Sequence, residues 1–170
     1  MRRHRKRTRP ILRAIALLAA LLLAACGTAR GPSAGGESGS GWSCVPYARM
    51  RAGLPLRGDA WTWWDAAAGR YERGSVPRNG GVLVLMRGSR LPQGHLAVVS
   101  RMVSAREIRV DHANWASGGG KGRVARDQPV MDVSPGNDWS LVRVWYPPVG
   151  DWGATAYPSY GFIHSALARG

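Results

Sequence analysis

The stretch HLAVVSRMVSAREIRVDHANW, from His95 to Trp115, decides the fold. Two runs rich in β-branched residues, His95 to Val103 and Glu107 to Trp115, flank a short polar segment, and this is the pattern of a β-hairpin. A turn centred on Ser104-Ala105 sets the register: His95 faces Asn114, Ala97 faces His112 and Val99 faces Val110. Side chains alternate across a strand, so Val110, His112 and Asn114 share one face while Asp111 points to the other. A slip of one residue would invert that set.

Working outward, VLVLM (Val82 to Met86) precedes the hairpin as a third strand, after the turn-forming SVPRNGG. PVMDV and SLVRVW follow it as weaker strands. Upstream lie two helix signals. Ser43 reads as the N-cap of a helix from Cys44 to about Ala52, with Pro46 in its first turn and Gly53 closing it. Asp59 reads as the cap of a second helix, AWTWWDAAA, stopped at Gly69. Helices first and an antiparallel sheet after them predict an α+β domain with the N-terminal helices packed on the sheet. Its expected span is 40–146. Residues 147–170 read as a Pro/Gly/Tyr-rich C-terminal extension with a short helix-like FIHSALA.

The N-terminal segment has a different character. Seven basic residues, Arg2, Arg3, Arg5, Lys6, Arg7, Arg9 and Arg13, precede the apolar run AIALLAALLLAA with no acid among them. That is a secretory signal in outline, and its apolar run falls short of the roughly twenty residues that span a bilayer. Leu23-Ala24-Ala25-Cys26 resembles the lipobox of bacterial lipoproteins, in which the cysteine is lipidated after cleavage in front of it. Residues 1–26 are therefore expected to be a lipoprotein-type signal. Residues 27–39, GTARGPSAGGESG, are expected to be a flexible tether, since they have too little apolar surface to offset ordering. Lipidation at Cys26 implies an exported, membrane-anchored protein of the bacterial envelope. By resemblance to lipoprotein sorting in diderm bacteria, where an Asp at this position retains the protein at the inner membrane, Gly27 favours a periplasm-facing outer membrane if the cell has one. Charge follows the same division. Of 24 Lys and Arg, seven belong to the signal, leaving 17 against 10 acidic residues, a net of +7 instead of +14. The remaining basic residues are scattered, which suits an anionic envelope and argues against nucleic acid.

Of the two cysteines, lipidation of Cys26 leaves Cys44 without an intramolecular partner in a compartment where disulfides are the usual fate of thiols. A free thiol at a helix N-terminus meets partial positive charge and unsatisfied N–H groups, which favour the thiolate and lower its pKa. Such a nucleophile needs an imidazole in reach, held by a third group. His95, opening a strand after Gly94, is that imidazole. Asn114 is its cross-strand neighbour and the best candidate to hold it, His112 lies one diagonal away, and Asp111 faces the wrong side unless a bulge intervenes.

These motifs, SCVPYAR at a helix start, GHLAVVS some fifty residues on and VDHANW after the next turn, resemble a CHAP domain, the cysteine, histidine-dependent amidohydrolase/peptidase family. GDAWTWW, RGSVPRNGGVLVL and NDWSLVRVW extend the likeness. The resemblance implies a papain-like fold, Cys44 as nucleophile, His95 as general base, Asn114 at the third polar position and His112 where some members have Glu. It also implies hydrolysis of peptidoglycan amide bonds, either the N-acetylmuramoyl-L-alanine bond or one in the stem peptide, with no metal or other cofactor.

Two other readings stay open on the residues. A lipidated basic domain suits a non-catalytic cell-wall-binding lipoprotein, and Cys44, His95, His112 and Asp111 are ligand types for a zinc-dependent amidase, though without paired-ligand spacing. Trp42, Tyr47 and Trp115, beside the proposed site residues, are candidate walls of a substrate groove. Trp61, Trp63 and Trp64 read mainly as packing.

Overall fold

The computed structural model describes residues 41–116 and 120–167; the proposed signal, Cys26 and the tether lie outside them. Helix α1 (Cys44–Ala52) runs as expected and ends at Gly53 in the left-handed conformation, φ 68°. A 3-10 turn (Ala60–Thr62) and the single-turn α2 (Trp63–Ala66) replace the longer second helix expected after Asp59. Seven strands follow: β1 (Tyr71–Gly74), β2 (Val82–Leu85), β3 (His95–Met102), β4 (Glu107–Ala113), β5 (Val124–Asp132), β6 (Leu141–Tyr146) and β7 (Asp151–Leu167).

All pairings are antiparallel, in the order β1-β7-β2-β3-β4-β5-β6, and β6 pairs back onto β7. That last pairing closes six strands, β2 to β7, into a barrel, with β1 attached to β7 outside the closed ring. The expected α+β arrangement, helices packed on an open sheet in the papain-like manner, is therefore corrected: the molecule is mostly β, and its described helices are short. Residues 147–170 account for much of the difference. The segment read as an extension with a helical FIHSALA holds the 17-residue β7, which pairs with β6 through Pro158, with β2 through Ile163 and with β1 up to Leu167. Its strand state comes from distant partners, while its several Gly and Pro residues argue locally against one.

Closure explains the burial pattern. Leu83, Leu85, Ala97, Val99, Val110, Val142 and Phe162 fill the barrel interior with Trp139. Their strand neighbours Val82, Val84, Leu96, Val98 and Ile163 face outward and are covered by Ala48 of α1, Leu54, Leu56 and the fully buried Trp63. The uninterrupted apolar run of β2 follows, because both of its faces are buried. His164 is also buried, 6% exposed. Trp64 is partly buried against this cluster, stacked on Tyr160 with Arg73 over its ring.

Two features of this frame position the site. The β3–β4 ladder pairs Val99 with Val110 and Val98 with Asp111, the register expected from the turn, before a bulge shifts it at Arg101. Gly94, at φ 68°, lets β3 begin where it does. A Cβ there would stand 2.7 Å from the Leu85 carbonyl oxygen and 2.9 Å from the Trp61 nitrogen, so a side chain would displace backbone.

Candidate active site

α1 begins with Cys44 and β3 begins with His95, and both line one cleft of about 610 Å³ whose walls also include Asp59, Gly94, Arg90 and Asn114. Cys44 is a free thiol, half-buried. Three backbone N–H groups, those of Leu96, Cys44 itself and Val45, favour its thiolate, but burial outweighs them and pushes the thiol above its ordinary 9.0. The expectation that the helix terminus alone lowers this pKa is thereby reversed. The Leu96 N–H is informative in another way. It belongs to the residue after His95, so the sulfur rests against the start of β3.

His95 is 4% exposed, and its Nε2 lies 3.1 Å from Nδ1 of His112, which is fully buried. Nδ1 of His95 has no hydrogen-bond partner among the described residues, so it is the nitrogen left for the thiol. Desolvation, reinforced by the neighbouring His112, holds His95 well below the usual imidazole value. Burial alone takes His112 down to about 3. Both rings are therefore neutral at physiological pH. In the tautomer that frees Nδ1 of His95 to accept a proton, its Nε2–H donates to Nδ1 of His112. The remaining nitrogen of His112, Nε2, is buried without a partner among the described residues. Trp115 packs on both rings, stacked on His112 at 5.5 Å between centroids and tilted against His95 at 4.8 Å.

Asn114 stands in the cleft wall, but its side-chain carbonyl accepts the Gly122 N–H at 2.9 Å. Its backbone is in the left-handed region, φ 60°, and its own N–H goes to the Arg123 carbonyl. β4 thus ends at Ala113, one residue short of the expected His95–Asn114 pair, and the diagonal neighbour His112 reaches His95 instead. The Asn114 loop has a second task, since the Gly122 carbonyl accepts the Trp42 N–H and fixes the chain entering α1. Asp111 faces away from the imidazoles, as the alternation required; its carboxylate accepts from Arg51 Nε at 3.3 Å and from the Asp127 N–H at 3.0 Å.

The three candidate groove aromatics are dispersed. Tyr47 is buried with Ala113 and Val124. Trp42 is partly exposed with its ring edge-on to Tyr47. Trp115 lies behind the imidazoles and lines two neighbouring cavities instead of this cleft. Asp59 and Arg90 escaped the sequence reading because loops bring them in; only proximity in sequence to Gly94 hinted at Arg90.

Residues 35–114 match the CHAP domain family model. Over that segment the chain is similar to a CHAP domain. A comparison with curated proteins gives no match. The CHAP match contains Cys44, His95, His112 and Asn114 and stops at the end of β4, so β5, β6 and β7, which complete the barrel, lie beyond it. CHAP domains are typically hydrolases of amide bonds in peptidoglycan, and this gives the general kind of function and the substrate class.

Proposed function

We propose that this CHAP-like domain is a cysteine amidohydrolase or endopeptidase that cleaves a peptidoglycan amide, in the stem peptide or at the N-acetylmuramoyl-L-alanine bond, through Cys44 and His95. The observation that carries the reading is a single cleft lined by both Cys44, whose sulfur meets the Leu96 N–H, and His95, whose Nε2 is committed to His112.

Nδ1 of His95 takes the thiol proton as Sγ attacks the carbonyl carbon, and the oxyanion forms near the N–H groups at the start of α1. Collapse expels the amine, which leaves with the proton from His95, and a thioester remains on Cys44. Water then loses a proton to Nδ1, attacks the thioester and releases the acid and the thiol. Because the thiol pKa is raised and the imidazole pKa lowered, the resting pair is neutral, and proton transfer accompanies attack. His112 acts as the positioning residue in place of a carboxylate. Asn114 borders the cleft, and its amide N–H₂, which has no partner among the described residues, is available to a substrate carbonyl.

The N-terminal pattern supports export and anchoring through a lipid on Cys26 as part of this proposal, in an envelope membrane facing the periplasm. Purified sacculi incubated with the full-length protein and with Cys44→Ala test the chemistry. Soluble fragments of defined mass are expected from the former alone; identical fragments from both would refute the thiol mechanism.

A further inference from the structure

A second cavity, about 500 Å³, adjoins the Cys44 cleft and shares Arg90 and Leu91 with it as common walls. Its volume lies within the roughly 300–1,000 Å³ of small-molecule sites. Trp115, Tyr146 and Tyr157 line it together with Thr155.

The cavity is built by an irregularity in the barrel wall. β6 and β7 pair Arg143 with Ala156 and Trp145 with Trp152, so the single residue Val144 opposes three, Gly153 to Thr155. Such an expanded bulge bends the strand outward and opens the rim. It is held in place: Arg143 Nε donates to the Gly153 carbonyl at 2.9 Å, and a Cβ on Gly153 would stand 3.1 Å from the Val144 carbonyl oxygen. The indole of Trp115 reaches from the imidazoles to this bulge, with Nε1 donating to the Trp145 carbonyl at 3.1 Å and its ring 5.2 Å from that of Tyr157.

We infer that this cavity is a saccharide subsite, taking an N-acetylated amino-sugar ring of the same glycan-linked peptide whose amide lies in the Cys44 cleft. The inference rests on the proposed function for its substrate. Because Arg90 and Leu91 border both cavities, one elongated ligand could reach from the cleft into this cavity. Aromatic faces suit the apolar C–H faces of a sugar ring, and the Thr155 and tyrosine hydroxyls suit its polar rim. A peptide strand fits less well, because β6 and β7 pair with each other on either side of the bulge and leave no long free edge for strand addition. Trp115 joins the two sites, so a sugar seated here presses on the ring that packs against His95.

The test is calorimetric titration of full-length Cys44→Ala protein, which cannot turn over, with a disaccharide-linked stem peptide and with the same peptide lacking sugar. The sugar-linked ligand is expected to bind at least about tenfold more tightly. Ala154→Trp, which fills the cavity from an exposed position, should abolish that difference and leave the free-peptide Kd unchanged; Tyr157→Leu serves if that protein does not fold. Equal affinity for the two ligands, or a difference that survives the filled cavity, overturns the subsite. Binding is read without turnover, so this outcome is separate from the sacculus assay: fragments released without sugar preference remove the subsite alone, and sugar preference without thiol-dependent fragments removes the chemistry alone.

Discussion

Acidification should destabilise this protein through the buried imidazole pair well before its carboxylates titrate. His112 has a pKa of about 3 in the folded chain against an ordinary 6.5. Below pH 6.5 the unfolded chain therefore binds a proton that the native state refuses, and stability falls by about 1.4 kcal/mol per pH unit for each such group. The His112 contribution is fully present above pH 6.5 and is lost progressively toward pH 3. Between pH 7 and pH 4.5 the loss from His112 is about 2–3 kcal/mol, a large share of a typical 5–15 kcal/mol. His95 and His164, also lowered, act in the same direction. Asp138, lowered to about 2, contributes only below the ordinary carboxylate value, outside this window. Urea unfolding followed by tryptophan emission at pH 7, 6, 5 and 4.5 measures the slope. His112→Gln, which keeps an acceptor for the His95 N–H, should remove about one proton's worth of it. A wild-type slope between pH 6 and 5 below 1.4 kcal/mol per unit, or an unchanged slope in His112→Gln, would show that these rings are not buried as neutral groups.

The same electrostatics set the rate profile: kcat/KM should lose its acid limb only below pH 6.5, because His95 must be neutral to accept the thiol proton and its pKa is lowered. Alkylation of Cys44 by iodoacetamide should in turn rise with a midpoint above pH 9, since burial raises the thiol; a midpoint below that would contradict the burial argument. His112→Phe should lower kcat by about 10²–10³ with little change in KM, with partial recovery in His112→Gln, as expected where a polar partner holds a general base. Gly94→Ala, whose Cβ would meet the Leu85 carbonyl oxygen at 2.7 Å, should cost roughly 2 kcal/mol in denaturant and reduce activity beyond that loss, because His95 follows it directly.

How far the molecule could be read from its chain depends on the range of the interactions involved. Helix α1 follows from Pro46 in its first turn and Gly53 at its end, although Ser43 makes no side-chain capping bond, and the β3–β4 register follows from a short turn and period-two alternation, so both were visible. The alanines after Trp64 favour a longer second helix than the chain forms, which is a 3-10 turn followed by one helical turn. The sequence left the partner of His95 open between Asn114 and His112, and the geometry brings His112 to it. Alternation places His112 and Asn114 on one face, but the left-handed turn at Asn114 and its bond to Gly122 depend on a loop tied to Trp42.

The sequence by itself determined the hairpin that carries His95, the helix that starts at Cys44 and the family motifs that join them, because each rests on contacts a few residues apart. Only the tertiary structure decided that the sheet closes into a barrel through β7, that burial overrides the helix terminus at the thiol, and that His112 holds the imidazole. Those outcomes depend on strand pairing and desolvation between segments far apart in the chain, and no local pattern of residues encodes them.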